Sequence, residues 1–339
     1  MGNKTRDWDG IIVLVADPSD ETEMSGAFDR RIDRPAKATV AALANALEAC
    51  CERLILISDL NELTDRLGRL SRSLIFPYWF GQVSRSRHGL VPALCEANEV
   101  MFVGADAFAK IICNDKELSK AICRQSKLLV PTSAVVTSVQ DLQYAKFIKL
   151  PVIVKPNYEG TSLGISEENR CETWDAVSEV SGRLISELGQ PLILEEFISG
   201  REFSACFLAQ PNAEPMISIG AWSIEGQDDY LDDKVNSWEL KRDVDLAMDF
   251  KALDGQFRGE DLFAMRDCFT RLSSPGLLRI DGRLTANGPV IIELTPDIYL
   301  GPDGEFSQAF LPTFGSFEAL ISTVIHNCLE GYGANMPVR

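Results

Sequence analysis

Histidine and positive charge are scarce in this sequence, and both limit the kinds of site and partner that the protein can have. Only two histidines occur, His88 and His326, which nearly excludes a histidine metal cage or a two-histidine relay. The 33 basic residues are outnumbered by 50 acidic ones, leaving a net charge of −17. That charge repels nucleic acid and anionic membranes, so we expect neither as a partner. An anionic substrate therefore needs local cations or a metal.

Long apolar runs and export signals are also missing. No run approaches the roughly 18 apolar residues of a membrane span, and the polar start Met1–Asp7 lacks the apolar core of a signal peptide. The nine cysteines show no metal-type spacing. We therefore expect a cytoplasmic protein with reduced, mostly buried thiols.

The length and the order of elements predict the fold class. At 339 residues the chain has room for two or three domains. Strand and helix signals alternate over the first hundred residues, which predicts a parallel, Rossmann-like α/β sheet. No G-x-G-x-x-G follows the first strand, so dinucleotide binding is not expected there. Beyond about Asp106–Ile112 consecutive strands favour antiparallel pairing, an α+β arrangement with helices at Asn114–Lys127, Val139–Phe147 and Thr173–Leu188. The polar stretch Gly226–Asp245 is interpreted as a mobile loop.

A hairpin near the carboxyl end carries the clearest chemical signal. A three-residue loop, Ala286–Gly288, would pair Thr285 with Pro289. Asp281 then faces Glu293 and Arg279 faces Thr295, whereas an even loop would separate the two carboxylates. Opposed buried carboxylates are unfavourable unless a divalent cation bridges them, and oxygen ligands completed by phosphates suit Mg²⁺. Taken alone, an exposed hairpin with solvated acids is the alternative.

A glycine-containing loop follows a strand that ends in a lysine. The strand Leu150–Lys155 leads into a loop with Gly160 and Gly164, between which stand Thr161 and Ser162. Small residues let backbone N–H groups approach an anion, and Lys155 adds a positive charge. About forty residues later, the segment Leu194–Ile198 places carboxylates beside apolar side chains, a pattern suited to a base and a ribose.

These motifs, in this order, resemble the ATP-grasp superfamily and specifically its D-alanine–D-alanine ligase branch. The resemblance implies a Rossmann-like pre-ATP-grasp domain (1–110), a central ATP-grasp subdomain (111–205) and a C-terminal ATP-grasp subdomain (206–339), with the nucleotide between two antiparallel sheets. It implies ATP and Mg²⁺ as cofactors, with Mn²⁺ as a possible substitute.

The resemblance also implies roles for individual residues. The ATP phosphates would meet Lys116 and Lys155, while Thr161 and Ser162 cover the phosphates and the substrate. Lys234 would close on the γ-phosphate and Arg279 would stabilise the oxyanion of the tetrahedral intermediate. The adenosine contacts and the metal ligands follow as two sets, namely Glu195, Glu196, Phe197, Ile198 and Glu202 for the nucleotide, and Asp281, Glu293 and Thr295 for the metal. Without the family pattern, Lys116 is as well explained as a surface cation as by phosphate contact. Lys234 stands among four aspartates, which also fits a solvated charge cluster.

The sequence departs from the family where amino acids bind. Thr295 stands where the family has Asn, so either Thr295 or Asp297 completes the metal site. The family's acidic loop becomes Phe80–Gly89, in which Arg85, Arg87 and His88 form either a surface loop or a pocket for an acidic substrate. The first loop, Asp17–Glu23, lacks the Gly-Gly-x-Ser signature. Alanine as both substrates is therefore not assured.

We therefore expect an ATP-dependent carboxylate–amine ligase that forms an acyl phosphate and joins a small amino-acid-like acid to an amine, in peptide-like natural-product biosynthesis. A homodimer is left open. The alternatives are a ligase that charges a carrier or modified amine, and a non-catalytic ATP-binding sensor.

Overall fold

A computed structural model describes residues 10–20, 24, 26–81, 84–243, 245–253 and 255–335. The polar N-terminal residues, the acidic tip of the first loop (21–23) and residues 82–83 of the Phe80–Gly89 segment lie outside the described residues. Among the described residues, no helix is long and apolar enough to cross a bilayer.

The first sheet is parallel and four-stranded, in the order β2-β1-β3-β4, as the alternating signals predict. Its central strand is apolar throughout and fully buried from residue 12 to 16, which requires helices on both faces. The strands are β1 (Ile11–Ala16), β2 (Arg53–Ile57), β3 (Ser73–Tyr78) and β4 (Met101–Phe102), and the helices are α1 (Lys37–Cys50), α2 (Leu60–Arg66), α3 (Leu90–Ala97) and α4 (Ala107–Asn114).

The second sheet is antiparallel, in the order β5-β8-β6-β7, and one helix covers it. That helix, α6, begins where the Thr173 hydroxyl accepts from the Ala176 N–H at 3.2 Å, and it ends at Gly189, whose φ is +61°. The elements are α5 (Lys116–Gln125), β5 (Ser133–Val136), β6 (Val152–Pro156), β7 (Arg170–Cys171), α6 (Trp174–Leu188) and β8 (Leu192–Glu196). The helix predicted over Val139–Phe147 is wrong: a 3₁₀ helix spans Val139–Tyr144.

The third sheet is also antiparallel, in the order β11-β10-β9-β12-β13. Helix α8 packs on one face, while α9 and α10 pack on the other and share a core with α1 and the first sheet. The elements are β9 (Arg201–Gln210), β10 (Ala213–Ile224), α7 (Trp238–Lys241), β11 (Met248–Ala252), α8 (Gly259–Arg271), β12 (Leu277–Thr285), β13 (Gly288–Thr295), α9 (Glu305–Phe314) and α10 (Phe317–Asn335). The predicted domain division stays a prediction; the change of sheet falls between residues 196 and 201.

Candidate active site

The β12–β13 hairpin brings two acids together on one rung. Asp281 pairs with Glu293, and Arg279 pairs with Thr295, as predicted. The predicted three-residue loop is wrong, because Thr285 pairs with Gly288 across a two-residue turn. A β-bulge then shifts the register, since Gly282 pairs with Ile291 and leaves residue 292 as the extra one. The bulge therefore returns Glu293 to the face that carries Asp281, which a two-residue turn alone would not do.

The two carboxylates of this rung lie in different electrostatic surroundings. Asp281 accepts from Ser204 Oγ at 2.8 Å and from Arg279 Nε at 2.8 Å, yet burial, reinforced by the charges of Glu293 and Glu305, raises the pKa of Asp281. Burial would also raise the pKa of Glu293, but the Lys116 ammonium, 2.8 Å from its Oε1, lowers it overall. A cation between these acids would offset the repulsion that disfavours the charged form of Asp281.

The donor set fits Mg²⁺ completed by other ligands. Among the described residues, no three histidine, cysteine or acidic side chains are close enough to hold a metal by themselves. Two carboxylates plus a hydroxyl suit a cation that takes its remaining ligands from phosphate and water. Thr295 Oγ1 donates to Asp281 Oδ2 at 3.3 Å, whereas Asp297 is engaged with His88 Nδ1 at 3.0 Å and with Lys110. This arrangement favours Thr295 as the third ligand.

A buried carboxylate positions the lysine that ends β6. Lys155 Nζ donates to Glu195 Oε2 at 2.8 Å, and Lys120 contacts the other oxygen. Burial alone would raise the pKa of Glu195, but the two ammonium groups lower it to about 2. The Glu195 side chain, predicted to line the adenine pocket, therefore holds two lysines instead.

Lys120 is a residue that sequence analysis missed. Its Nζ also donates to the carbonyl oxygen of Ile292, the extra residue of the bulge, at 2.9 Å. The side chain is only 1% exposed. One buried ammonium therefore links the carboxylate behind Lys155 to the bulge that sets the acid pair. No local pattern marks Lys120, because its partners lie 75 and 172 residues away.

The predicted adenosine contacts surround a buried phenylalanine. The ring of Phe197 lies between the guanidinium groups of Arg170 and Arg283, at 4.7 and 4.9 Å from its centroid. Arg283 also donates to the Ile198 carbonyl at 3.0 Å and to Glu202 at 2.9 Å. The other predicted contact of this strand, Glu196, donates its N–H to the Thr132 carbonyl.

The glycine loop adopts left-handed backbone at non-glycine positions. Thr161 and Ser162 have φ of +49° and +57°, a conformation that costs roughly 1–2 kcal/mol per residue. Side chains hold them there: the Thr161 hydroxyl donates to Asp33 at 3.0 Å and the Ser162 hydroxyl donates to the Asn236 carbonyl at 2.7 Å. A Cβ at Gly160 would lie 2.7 Å from Asp33 Oδ1, so this position requires glycine.

Lys234 and Lys241 both lie in the polar stretch between β10 and β11. Lys234 Nζ stands 3.6 Å from the centre of the Tyr230 ring. Lys241, which sequence analysis missed, is close enough to lower the pKa of both Glu293 and Glu305. Lys241 therefore adds, after Lys116 and Lys155, to the positive charge around Glu293.

A second network, the buried charge cluster, joins all three sheets. It contains Arg87 and His88, two of the three residues for which the sequence allows either a surface loop or a substrate pocket. Arg87 donates to Asp33 at 2.9 Å and to Glu159 at 3.0 Å, while His88 lies between Asp33 and Asp297. The cluster consists of Asp33, Arg87, His88, Lys110, Glu159 and Asp297. Arg87 and His88 are thus neither a surface loop nor free to bind an acidic substrate, because carboxylates of the chain itself neutralise them. Arg85, by contrast, is exposed.

Comparisons with known proteins identify the family and the fold. The family model described as D-ala D-ala ligase C-terminus matches residues 132–296. The D-alanine–D-alanine ligase of Mycolicibacterium gilvum is 30% identical over 275 residues, covering 76% of this chain and 70% of the relative. That of Mycobacterium tuberculosis (strain H37Rv) is 29% identical over 266 residues, covering 76% and 69%.

Solved structures show the same fold. The D-alanine–D-alanine ligase from Bacillus anthracis complexed with ATP has a TM-score of 0.70 at 15% identity, covering 97% of this chain and 99% of that one. The VanG D-Ala:D-Ser ligase from Enterococcus faecalis has a TM-score of 0.62 at 14% identity, covering 94% and 99%. With the sequence relatives, they show that the chain belongs to the D-alanine–D-alanine ligase family of ATP-grasp proteins.

Proposed function

We propose that this protein joins a small amino-acid-like acid to an amine through an acyl phosphate. Its family membership makes it an ATP- and Mg²⁺-dependent carboxylate–amine ligase that forms a peptide bond. The observation that carries the site assignment is the rung on which Asp281 faces Glu293, next to Lys116. A sensor that only binds nucleotide has no need for this acid pair.

The residues around the rung divide the chemistry between them. Magnesium held by Asp281, Glu293 and Thr295 would neutralise charge on the phosphates of ATP. Lys116 and Lys155 now donate to carboxylates and would exchange these partners for phosphate oxygens. The substrate carboxylate attacks the γ-phosphorus and ADP leaves; the amine then attacks the acyl carbon and inorganic phosphate leaves.

Two further groups act on the substrates. Arg279, two residues before Asp281 on the same face of β12, would stabilise the negative oxygen of the tetrahedral intermediate. Thr161 and Ser162 would close over the phosphates, with the stretch around Lys234 and Lys241 excluding water from the acyl phosphate. Phe197, Ile198, Glu196 and Glu202 remain the proposed nucleotide contacts, with Arg283 organising them.

The substrates of the named relatives are not carried over unchanged. Arg87 and His88 stand in the loop where the family binds amino acids, and both are committed to the buried charge cluster. We therefore propose an altered acid and amine, as expected of an enzyme that builds peptide-like natural products. A cytoplasmic location and a homodimer are proposals that rest on the family alone.

Replacing one acid of the rung tests the proposal. We expect Asp281→Asn to lower ADP release by at least a hundredfold, because Mg²⁺ would lose half of its carboxylate pair. The assay measures ADP across a panel of acids and amines, and hydroxylamine in place of the amine traps the acyl phosphate as a hydroxamate. Asp249→Asn, an exposed acid on β11, is the matched control and should keep wild-type rates. Normal turnover by Asp281→Asn would refute the assignment.

A further inference from the structure

The guanidinium of Arg279 is occupied by two carboxylates of its own chain. Its Nε donates to both oxygens of Asp281, at 2.8 and 2.9 Å. Its Nη1 donates to Glu305 Oε2 at 3.0 Å. Even when Asp281 turns to Mg²⁺, Glu305 would stay paired with Arg279, which would then serve the reacting oxyanion rather than a second carboxylate on the incoming substrate.

The positions of these groups give the site a direction. On this face of the third sheet, Glu293, Asp281 and Ser204 form one row, and Thr295, Arg279 and Cys206 form the next row. Helix α9 packs beside that second row, since Ser218, paired with Cys206, donates to the Ala309 carbonyl at 2.6 Å. Arg279 therefore follows the acid pair on this face, and Glu305, at the start of α9, contacts Arg279.

The ion pair of Glu305 is with Arg279 and not with the acid pair. The described residues contain no cluster of three acids close enough to hold a metal ion. The Glu305 side chain is 27% exposed, so part of it is accessible from solvent. Burial would raise the pKa of Glu305, but Arg279, Lys241 and a hydrogen bond from the Trp222 side chain lower it overall and keep the carboxylate charged.

Aromatic rings border the same region. Trp222 lies on β10 with its ring centroid 5.1 Å from that of Phe250. A carboxylate beside aromatic rings is an environment that attracts a protonated amine and disfavours an anion.

We propose that Glu305 selects the second substrate, and that this substrate is an amine without a neighbouring carboxylate, such as a diamine, an amino alcohol or an amino amide. The inference rests on the proposed ligase function and names its amine class. The Glu305 carboxylate accepts a hydrogen bond from the second polar group of that amine while the reacting nitrogen faces the acyl carbon. A free amino acid would bring a second anion against Glu305, at a site where Arg279 is paired with Glu305 and serves the reacting oxyanion.

Matched pairs of amines test the inference. The acid substrate is first chosen as one that gives a hydroxamate with hydroxylamine. With that acid, kcat/KM for each amine is measured by ADP release. The ratios compared are alaninamide to alanine and 1,3-diaminopropane to β-alanine. We expect the wild-type protein to favour the partner without a carboxylate at least tenfold. The variant Glu305→Gln should lower that ratio at least tenfold through KM for the amine, and Glu305→Asp should retain most of it.

The control is Glu318→Gln, an exposed acid in the first turn of the next helix, which should leave the ratio unchanged. Hydroxamate formation together with a wild-type preference for alanine and β-alanine overturns this inference and leaves the ligase function standing. A ratio unchanged by Glu305→Gln also overturns it. Absence of hydroxamate with every acid would refute the ligase function and this inference together.

Discussion

At the scale of single residues, buried charges do more to position the site than the exposed ones. Lys120 touches neither a proposed substrate nor the proposed metal position, yet it contacts Glu195 and donates to the Ile292 carbonyl. Removing one partner of a buried ion pair costs about 3–5 kcal/mol, because the remaining charge is left uncompensated. Lys120 is therefore a positioning residue for both Lys155 and the acid pair.

We expect Lys120→Met to lower the free energy of unfolding by about 3 kcal/mol and to raise KM for ATP, because Glu195 keeps only Lys155 as a partner. Urea unfolding measures the first effect and initial rates measure the second. Adding Glu195→Gln removes the unpaired charge and should restore part of the stability but not the KM. Exposed Lys149→Met is the control. A stable Lys120→Met with unchanged KM would contradict the positioning role.

At the scale of elements, the β12–β13 hairpin depends on its bulge. A two-residue turn without a bulge would leave Asp281 and Glu293 on opposite faces, because side chains alternate along a strand. The extra residue, Ile292, reverses that alternation, and Lys120 binds its carbonyl. The bulge is thus as necessary to the acid pair as the acids are.

Inserting an alanine between Ile292 and Glu293 tests the register directly. With the bulge kept, the inserted residue would pair with Asp281 and Glu293 would pair with Ile280 on the opposite face, so we expect ADP release to fall at least a hundredfold. Binding of Mn²⁺ in the presence of ATP, followed by electron paramagnetic resonance, should weaken in parallel, and circular dichroism reports whether the sheet is retained. The substitution Ile292→Val keeps the residue count and should keep activity. Full activity after the insertion would show that the register does not matter.

At the scale of the whole molecule, the buried charge cluster joins the three sheets. Burial alone would lower the pKa of His88, but Asp297 and Asp33 raise it to about 9. The pKa of Asp33 is held well below its usual range because His88 and Arg87 overcome its burial. The cluster is completed by Lys110, which pairs with Asp297, and by Glu159, which pairs with Arg87. The cluster therefore links stability to pH.

The free energy of unfolding should fall as pH rises from about 6.5 to about 9. His88 has a higher pKa in the folded protein than the ordinary 6.5, so its contribution is complete below pH 6.5 and is lost as the pH passes the folded value. The loss amounts to about 3 kcal/mol at most. Urea unfolding of the wild-type protein and of His88→Gln measures it. The variant should show a flatter profile, while exposed His326→Gln should follow the wild type; parallel slopes for wild type and His88→Gln would exclude the cluster as the cause.

Local patterns were enough to predict many elements and some of the site. The strand β1, helix α6 and the parallel first sheet follow from apolar runs and from the alternation of strand and helix signals. The pairing of Asp281 with Glu293 is confirmed, although the predicted turn is wrong. The turn is one residue shorter than predicted and the bulge adds one residue to β13, so the two changes of register cancel. The segment at Val139–Tyr144 is a 3₁₀ helix whose start is capped by Ser138 and Asp141, and it ends before Phe147.

Stretches of about fifteen residues are enough to establish which chemical groups are present and in what order: the lysine-ended strand, the glycine loop and the acidic hairpin. Which of their charges remain available depends on how the chain packs. Lys120, Arg87 and His88 are neutralised by carboxylates more than fifty residues away, and Glu305 reaches Arg279 across the β13 strand and the loop that follows. Burial makes such distant pairs strong, and burial is a property of packing that no local pattern contains.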